Sequence, residues 1–221
     1  AFFLVLMLFG VVFLHELGHC LAAQAFGIQV LDITFWPLGG MARMADLPEN
    51  PRIEGLVAIA GPAVNGVLFT AGLMVHLLFG LPLLGNSIPG YFVVINLMMG
   101  LFNLIPAFPM DGGRILRAWL ARKRDWLDAT EIAVQIGRAF ALGMIIFGYW
   151  LTGGWVMPFI GAWVWWMGAR ELWHVRMKHK ARAAYESTLW PDNERGRSLT
   201  LKDLDKIEDY RGQLKDYKPR D

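Results

Sequence analysis

An all-α polytopic membrane protein is what this sequence specifies, a helical bundle of about five spans with a short membrane-associated β-hairpin. Three observations carry that expectation. The 221 residues are 55% hydrophobic and include 14 Phe and 10 Trp. Their apolar residues gather into runs that approach the roughly 20 residues needed to cross a hydrocarbon core. The Lys and Arg residues fall in alternate connectors between those runs.

The spans are expected at Ala1–Phe26, Ile53–Gly80, Tyr91–Ile105 running on to Pro109, Ile132–Leu151 and Trp155–Trp173. Ala1 to Leu14 holds no polar side chain. It lacks the basic n-region and cleavage site of a signal peptide, and beginning in mid-apolar sequence it predicts a further helix upstream. Between the first two spans, Ile28–Phe35 is rich in β-formers and Pro37-Leu-Gly-Gly40 can turn the chain back. That segment reads as a hairpin or as a surface loop with a buried apolar side. Gly113–Leu120 reads as a short helix ending in the basic run Arg122-Lys123-Arg124, suited to anionic headgroups. Residues 1–173 are expected as the transmembrane core and 174–221 as a charged tail, with Leu199–Asp221 a short helix or a disordered segment. No internal repeat, phosphate loop or nucleic-acid motif is found.

Basic residues set the orientation. The Gly27–Arg52 connector has 2, Pro106–Asp128 has 5, and Arg170 to the end has 13, whereas Leu81–Gly90 and Thr152–Gly154 have none. The positive-inside rule puts the first two connectors and the tail in the cytoplasm. Arg138, alone within a span, is read as a snorkelling or paired structural residue. The single cysteine, Cys20, excludes an internal disulfide and reads as a packing residue.

His15-Glu16-Leu17-Gly18-His19 interrupts the first span. Two imidazoles and a carboxylate are costly in such surroundings without partners or a task. On a helix, positions four apart lie about 40° apart, so His15 and His19 share a face and can grip one metal ion with Glu16 beside it. A catalytic zinc takes three protein ligands and a water. His76 lies toward the far end of the second span, and His174 and His179 lie in the tail. Among the membrane-embedded carboxylates, Asp111 stands out. Pro106 and Pro109 break the helix before it, and Gly112-Gly113 after it allow turns. Irregular backbone at membrane depth is tolerated when buried in protein or lining a wet cavity; a cavity wall carrying Asp111 is expected here.

With both motifs in view, the chain resembles the site-2 protease family of intramembrane zinc metalloproteases, peptidase family M50. The resemblance rests on His15-Glu16-Leu17-Gly18-His19 and on Asn103-Leu-Ile-Pro106-Ala-Phe-Pro109-Met-Asp111-Gly112, which fits the family pattern Asn-x-x-Pro-x-x-Pro-x-Asp-Gly at every fixed position. Gly61-Pro62-Ala63-Val64-Asn65 is similar to the family's Gly-Pro-x-x-Asn element, and Phe35–Arg43 to its membrane-associated β-loop. The stretch between the two catalytic motifs is too short for the PDZ domains of some relatives, and the tail too short for a CBS pair, so a minimal core is expected.

The resemblance implies an intramembrane endopeptidase acting on transmembrane segments, a multi-pass protein of a prokaryotic cell membrane. It implies His15, His19 and Asp111 as ligands of one Zn²⁺ per chain and Glu16 as the general base. Asn65 and Asn103 are candidate donors to the oxyanion or the substrate backbone, against the alternative of ordinary helix-to-helix hydrogen bonds. A transmembrane helix hides its peptide bonds and must unwind to be cut. The resemblance favours the hairpin, with Phe35, Pro37, Gly39 and Gly40 forming a loop that pairs with extended substrate. The expected partners are a transmembrane protein substrate and the lipid bilayer. Two other readings remain: an inactive relative that only holds helices, which the intact Glu16 argues against, and a metal transporter, for which the outer halves of the spans offer few ionisable residues.

Overall fold

The computed structural model describes residues 2–36, 39–44, 47–80 and 87–189, with the backbone alone for 31–36, 39–44, 186, 188 and 189. Six helices occur among them: α1 (Phe2–Ala25), α2 (Pro51–Leu78), α3 (Ile88–Asn103), α4 (Asp111–Leu120), α5 (Trp126–Thr152) and α6 (Val156–Leu189). Between α1 and α2 the strands β1 (Val30–Trp36) and β2 (Gly39–Met44) pair antiparallel, with Phe35 opposite Gly40 and Trp36 opposite Gly39. The turn, including Pro37, lies outside the described residues.

The helix starts follow from local chemistry. Asn50 precedes α2, and its side-chain oxygen accepts from the backbone N–H groups of Arg52 and Ile53, with Pro51 in the first turn, where its missing N–H costs nothing. Ser87 caps α3 and Asp125 caps α5 in the same way. Gly153 ends α5 at a φ of 64°, a left-handed conformation that favours glycine.

Three helices, α1, α2 and α5, are long and apolar enough to cross a membrane, with mean hydropathies of 1.9, 1.8 and 1.6. Only 28% of each apolar window is buried inside the protein, so most of these side chains face outward. Such a surface suits lipid rather than water. The expected count of five spans is therefore not what the described residues display. At 16 residues α3 is shorter. The apolar start of α6 continues without a break through Trp173 and His174 into its charged part, where the tail was expected to begin.

The chain divides into two compact units, Ala1–Met177 and Lys178–Asp221. The described part of the second is the end of α6. Within the first, α2 packs against α1, α3 and α4, and both strands lie against α1. The segment 104–110, between α3 and α4, is covered by the last two helices. Ala107 and Met110 pack with Ala141 and Val164, and Phe108 packs with Ala133, Val134 and Leu172. The irregular backbone is buried in protein at Ala107, Phe108 and Met110, and the carbonyls that Pro106 and Pro109 cannot serve are met by turns, Phe102 accepting from Ile105 and Ile105 from Ala107. The expected role of the glycines changes. Gly112 has no positive φ; it is small because a Cβ would sit 2.3 Å from the Ile105 carbonyl oxygen and 2.4 Å from that of Leu104. It lets α4 start hard against the end of α3.

Gly137 plays the same part from the other side, where a Cβ would lie 3.1 Å from the Ala107 Cα. Gly137→Val is expected to push α5 off the 104–110 segment, at a cost of about 1–3 kcal/mol for overpacking. A lowered thermal midpoint of the detergent-solubilised protein is the result that checks this; an unchanged midpoint counts against the close approach.

Candidate metal centre

The three expected ligand residues converge. His15 and His19 lie four residues apart on α1, and Asp111 is the first residue of α4. All three are buried. The His15 Nε2 and His19 Nε2 are 3.2 Å apart, and Asp111 Oδ2 lies 3.2 Å from the first and 3.1 Å from the second. The helix brings the two imidazoles together, but Asp111, 92 residues beyond His19, reaches them only because α2 holds α1 on one side and α4 on the other.

The protons on these rings can be assigned from their outer partners. Asn96 Nδ2 donates to the Phe92 carbonyl at 2.9 Å, so its Oδ1 faces Asn65 and accepts from Asn65 Nδ2 at 3.1 Å. Asn65 Oδ1 then faces His15 Nδ1 at 2.5 Å, and an amide oxygen only accepts. His15 Nδ1 therefore carries the proton. His19 Nδ1, 2.7 Å from the Val57 carbonyl oxygen, carries one for the same reason. In each neutral ring the lone pair is left on Nε2, and both lone pairs point at each other and at a carboxylate oxygen. A triangle of acceptors with sides of 3.1–3.2 Å is repulsive when empty and favourable around a cation. Its sides are close to the roughly 3.3 Å edge of a tetrahedron with metal–ligand bonds near 2.0–2.1 Å. The group could hold a metal ion, and its donor set of two nitrogens and an oxygen suits zinc.

Two small residues make room for it. A Cβ at Gly61 would lie 2.2 Å from His19 Nε2 and 2.8 Å from His15 Cε1, so any side chain there would occupy the imidazoles' place. Gly18, between the two histidines, would meet Val64 and the Ala60 carbonyl oxygen at 2.8 and 2.9 Å. These contacts press the histidine face of α1 onto α2.

Glu16 is half-buried on α1 beside His15. Asn65 is fully buried with both ends of its amide engaged, between His15 and Asn96, the helix-to-helix hydrogen bonding that the sequence held as the alternative to a place beside the reacting carbonyl. Asn103 ends α3, half-buried, and its Nδ2 donates to the Met99 carbonyl at 3.1 Å. The backbone of Phe35, Gly39 and Gly40 lies in the two strands. Cys20 is buried and outside the ligand group, and so is His76. Asn96 escaped the sequence reading. Its signal was an amide inside an apolar span, and that alone does not distinguish it from other membrane asparagines.

Residues 3–89 and 86–144 match peptidase family M50. The chain belongs to that family. A zinc metalloprotease of Methanocaldococcus jannaschii is 43% identical over 145 residues, covering 66% of this chain and 42% of the relative. Rip3 of Mycobacterium tuberculosis is 35% identical over 175 residues, covering 75% of this chain and 44% of the relative. The chain thus spans less than half the length of these curated relatives. Among solved structures, the site-2 protease from Methanocaldococcus jannaschii matches with a TM-score of 0.60 and 37% identity, over 76% of each chain. With three long apolar helices, M50 membership supports a membrane protein.

Two substitutions test the arrangement. Gly61→Ala is expected to abolish stoichiometric zinc uptake in a protein that keeps its helical circular dichroism, because the added methyl displaces both rings. Asn96→Leu frees the Asn65 amide to turn and is expected to weaken zinc binding about 10–100-fold, the usual scale for groups behind a ligand; competition with a chromogenic chelator measures it, and wild-type affinity would break the proposed chain of hydrogen bonds.

Proposed function

We propose that this chain is an intramembrane zinc endopeptidase that hydrolyses peptide bonds in or near transmembrane segments of membrane-protein substrates, the chemistry of regulated intramembrane proteolysis. The observation that carries the reading is the convergence of His15 and His19, on an apolar helix beside Glu16, with Asp111 at the start of α4, all three buried within hydrogen-bond distance of one another. Family membership and the names of the relatives point the same way.

His15 Nε2, His19 Nε2 and one Asp111 oxygen would hold one Zn²⁺ per chain. Bound there, the ion would polarise the scissile carbonyl and bring the pKa of a coordinated water to about 7. Glu16, a half-buried carboxylate next to His15 in sequence, would act as the general base, taking a proton from the attacking water and passing it to the amine leaving group. Asn103 spends one amide hydrogen on Met99 and has a second to offer a developing oxyanion or the substrate backbone. Asn65 keeps the His15 ring in place.

An unwound substrate needs somewhere to satisfy its backbone. A two-stranded ribbon leaves one edge of each strand unpaired, and β1 and β2 lie against the helix that carries His15, Glu16 and His19. Strand addition there, along the segment containing Phe35, Pro37, Gly39 and Gly40, would hold the substrate extended beside the ligands. The distribution of Lys and Arg favours a cytoplasmic location for this connector and for the tail.

The test uses detergent-purified protein and a panel of transmembrane peptides. Glu16→Gln is expected to keep its zinc and to cleave about 10²–10⁴-fold more slowly, the usual contribution of a general base. A chelator should stop the wild type, and added zinc should restore it. Zinc-loaded wild type that binds the peptides and never cuts them would move the reading to a helix-binding relative.

A further inference from the structure

One buried cation is unused by the chemistry above. Arg117 lies on α4, six residues after Asp111, and only 6% of it is exposed. Its Nε donates to both carboxylate oxygens of Glu54 at 3.1 Å, and an Nη also donates to Glu54. Its other Nη donates to Glu171 of α6 at 2.6 Å. The guanidinium carbon lies 4.9 Å from the centre of the Phe108 ring and 5.0 Å from that of Trp126. One side chain thus touches α2, α6, the segment before Asp111 and the first residue of α5.

We infer that Arg117 is a positioning residue for the metal centre: with Glu54 and Glu171 it clamps the helix that begins at Asp111 to the helix that backs the two histidines, and so sets the approach of the carboxylate to the imidazoles. This rests on His15, His19 and Asp111 being a metal site. Geometry supports it on both sides of the clamp. Glu54 lies three residues before Val57, the carbonyl that holds His19. Next to the clamp, α2 and α4 already touch, since a Cβ at Gly55 would lie 3.3 Å from the Ala118 Cβ. On the other side, Phe108 stacks on the guanidinium three residues before Asp111.

Energetics favour a positioning role over simple adhesion. A buried ion pair adds little net stability compared with a well-packed apolar substitute, because desolvating two charges offsets their attraction. A planar guanidinium bound bidentately on one edge and singly on another instead fixes direction, which neither an alkyl side chain nor the point charge of a lysine does. Burial alone would lower the Arg117 pKa, and the Glu54 and Glu171 carboxylates together raise it, so the guanidinium stays charged.

The experiment compares metal binding by the full chain in detergent for wild type, Arg117→Lys, Glu54→Gln and Glu171→Gln. The probes are Zn²⁺ in competition with a chelator and Co²⁺, whose visible absorption reports ligand geometry. Arg117→Lys and Glu54→Gln are expected to bind Zn²⁺ about 10–100-fold more weakly, with an altered Co²⁺ spectrum, at temperatures where their circular dichroism matches the wild type. Glu171→Gln, which leaves the Glu54 contact intact, is expected to lose only a few-fold. A purely structural clamp lowers the melting temperature while the folded variants keep wild-type affinity and spectrum, and that result overturns the inference. Should Arg117→Lys not fold, Glu54→Gln and Glu171→Gln decide alone. Wild type that binds neither metal refutes the metal site itself, a different failure from variants that bind as wild type does.

Discussion

Two imidazole lone pairs and a carboxylate oxygen meet at 3.1–3.2 Å within an apolar bundle, and the rest of the structure answers to that meeting. Such groups are costly to gather in low dielectric unless a cation or a shared proton satisfies them, and a metal ion is the cation this set could hold. What keeps them together is a second layer of hydrogen bonds and close backbone packing. Asn65, Asn96 and the Val57 carbonyl hold the rings from behind. Gly18, Gly61 and Gly112 let three pieces of chain approach more closely than any side chain would permit.

The centre of this support is α2. It accepts the His19 proton at Val57, supplies Asn65 behind His15, gives Gly61 as the floor under both rings, and carries Glu54 for the contact with α4. A single rigid helix thus registers a residue pair on α1 with a residue on α4. The conformational entropy of bringing those side chains together is met by packing that extends well beyond the ligands. The segment 104–110 depends on the same logic. Its prolines leave it irregular, and α5 and α6 bury Ala107, Phe108 and Met110, so helices without any motif of their own hold the segment that delivers Asp111.

That His15 and His19 share a face was legible because helical spacing is a local property, and Asp111 stood out as a carboxylate after a broken apolar run; their convergence is what the structure adds. The helices themselves were legible from apolar run length, and the β-formers after Ile28 marked the paired strands. The count of spans was less so, since the apolar start of α6 fuses with its charged continuation and α3 stops short at Asn103. Asn65 was picked out, but its place behind His15 depends on Asn96, 31 residues further along.

Spacing, hydropathy and the chemistry of side chains reside in the chain locally, so the candidate ligand types and the membrane setting could be read from residues alone. Which oxygen faces which ring could not. The direction of the Asn96–Asn65–His15 chain, the apolar cover over the Asp111 segment and the partnership of Arg117 with Glu54, 63 residues away, and Glu171, 54 residues away, are pairings across long separations. Their partners are specified by how helices pack against one another, and packing is a property of the folded whole.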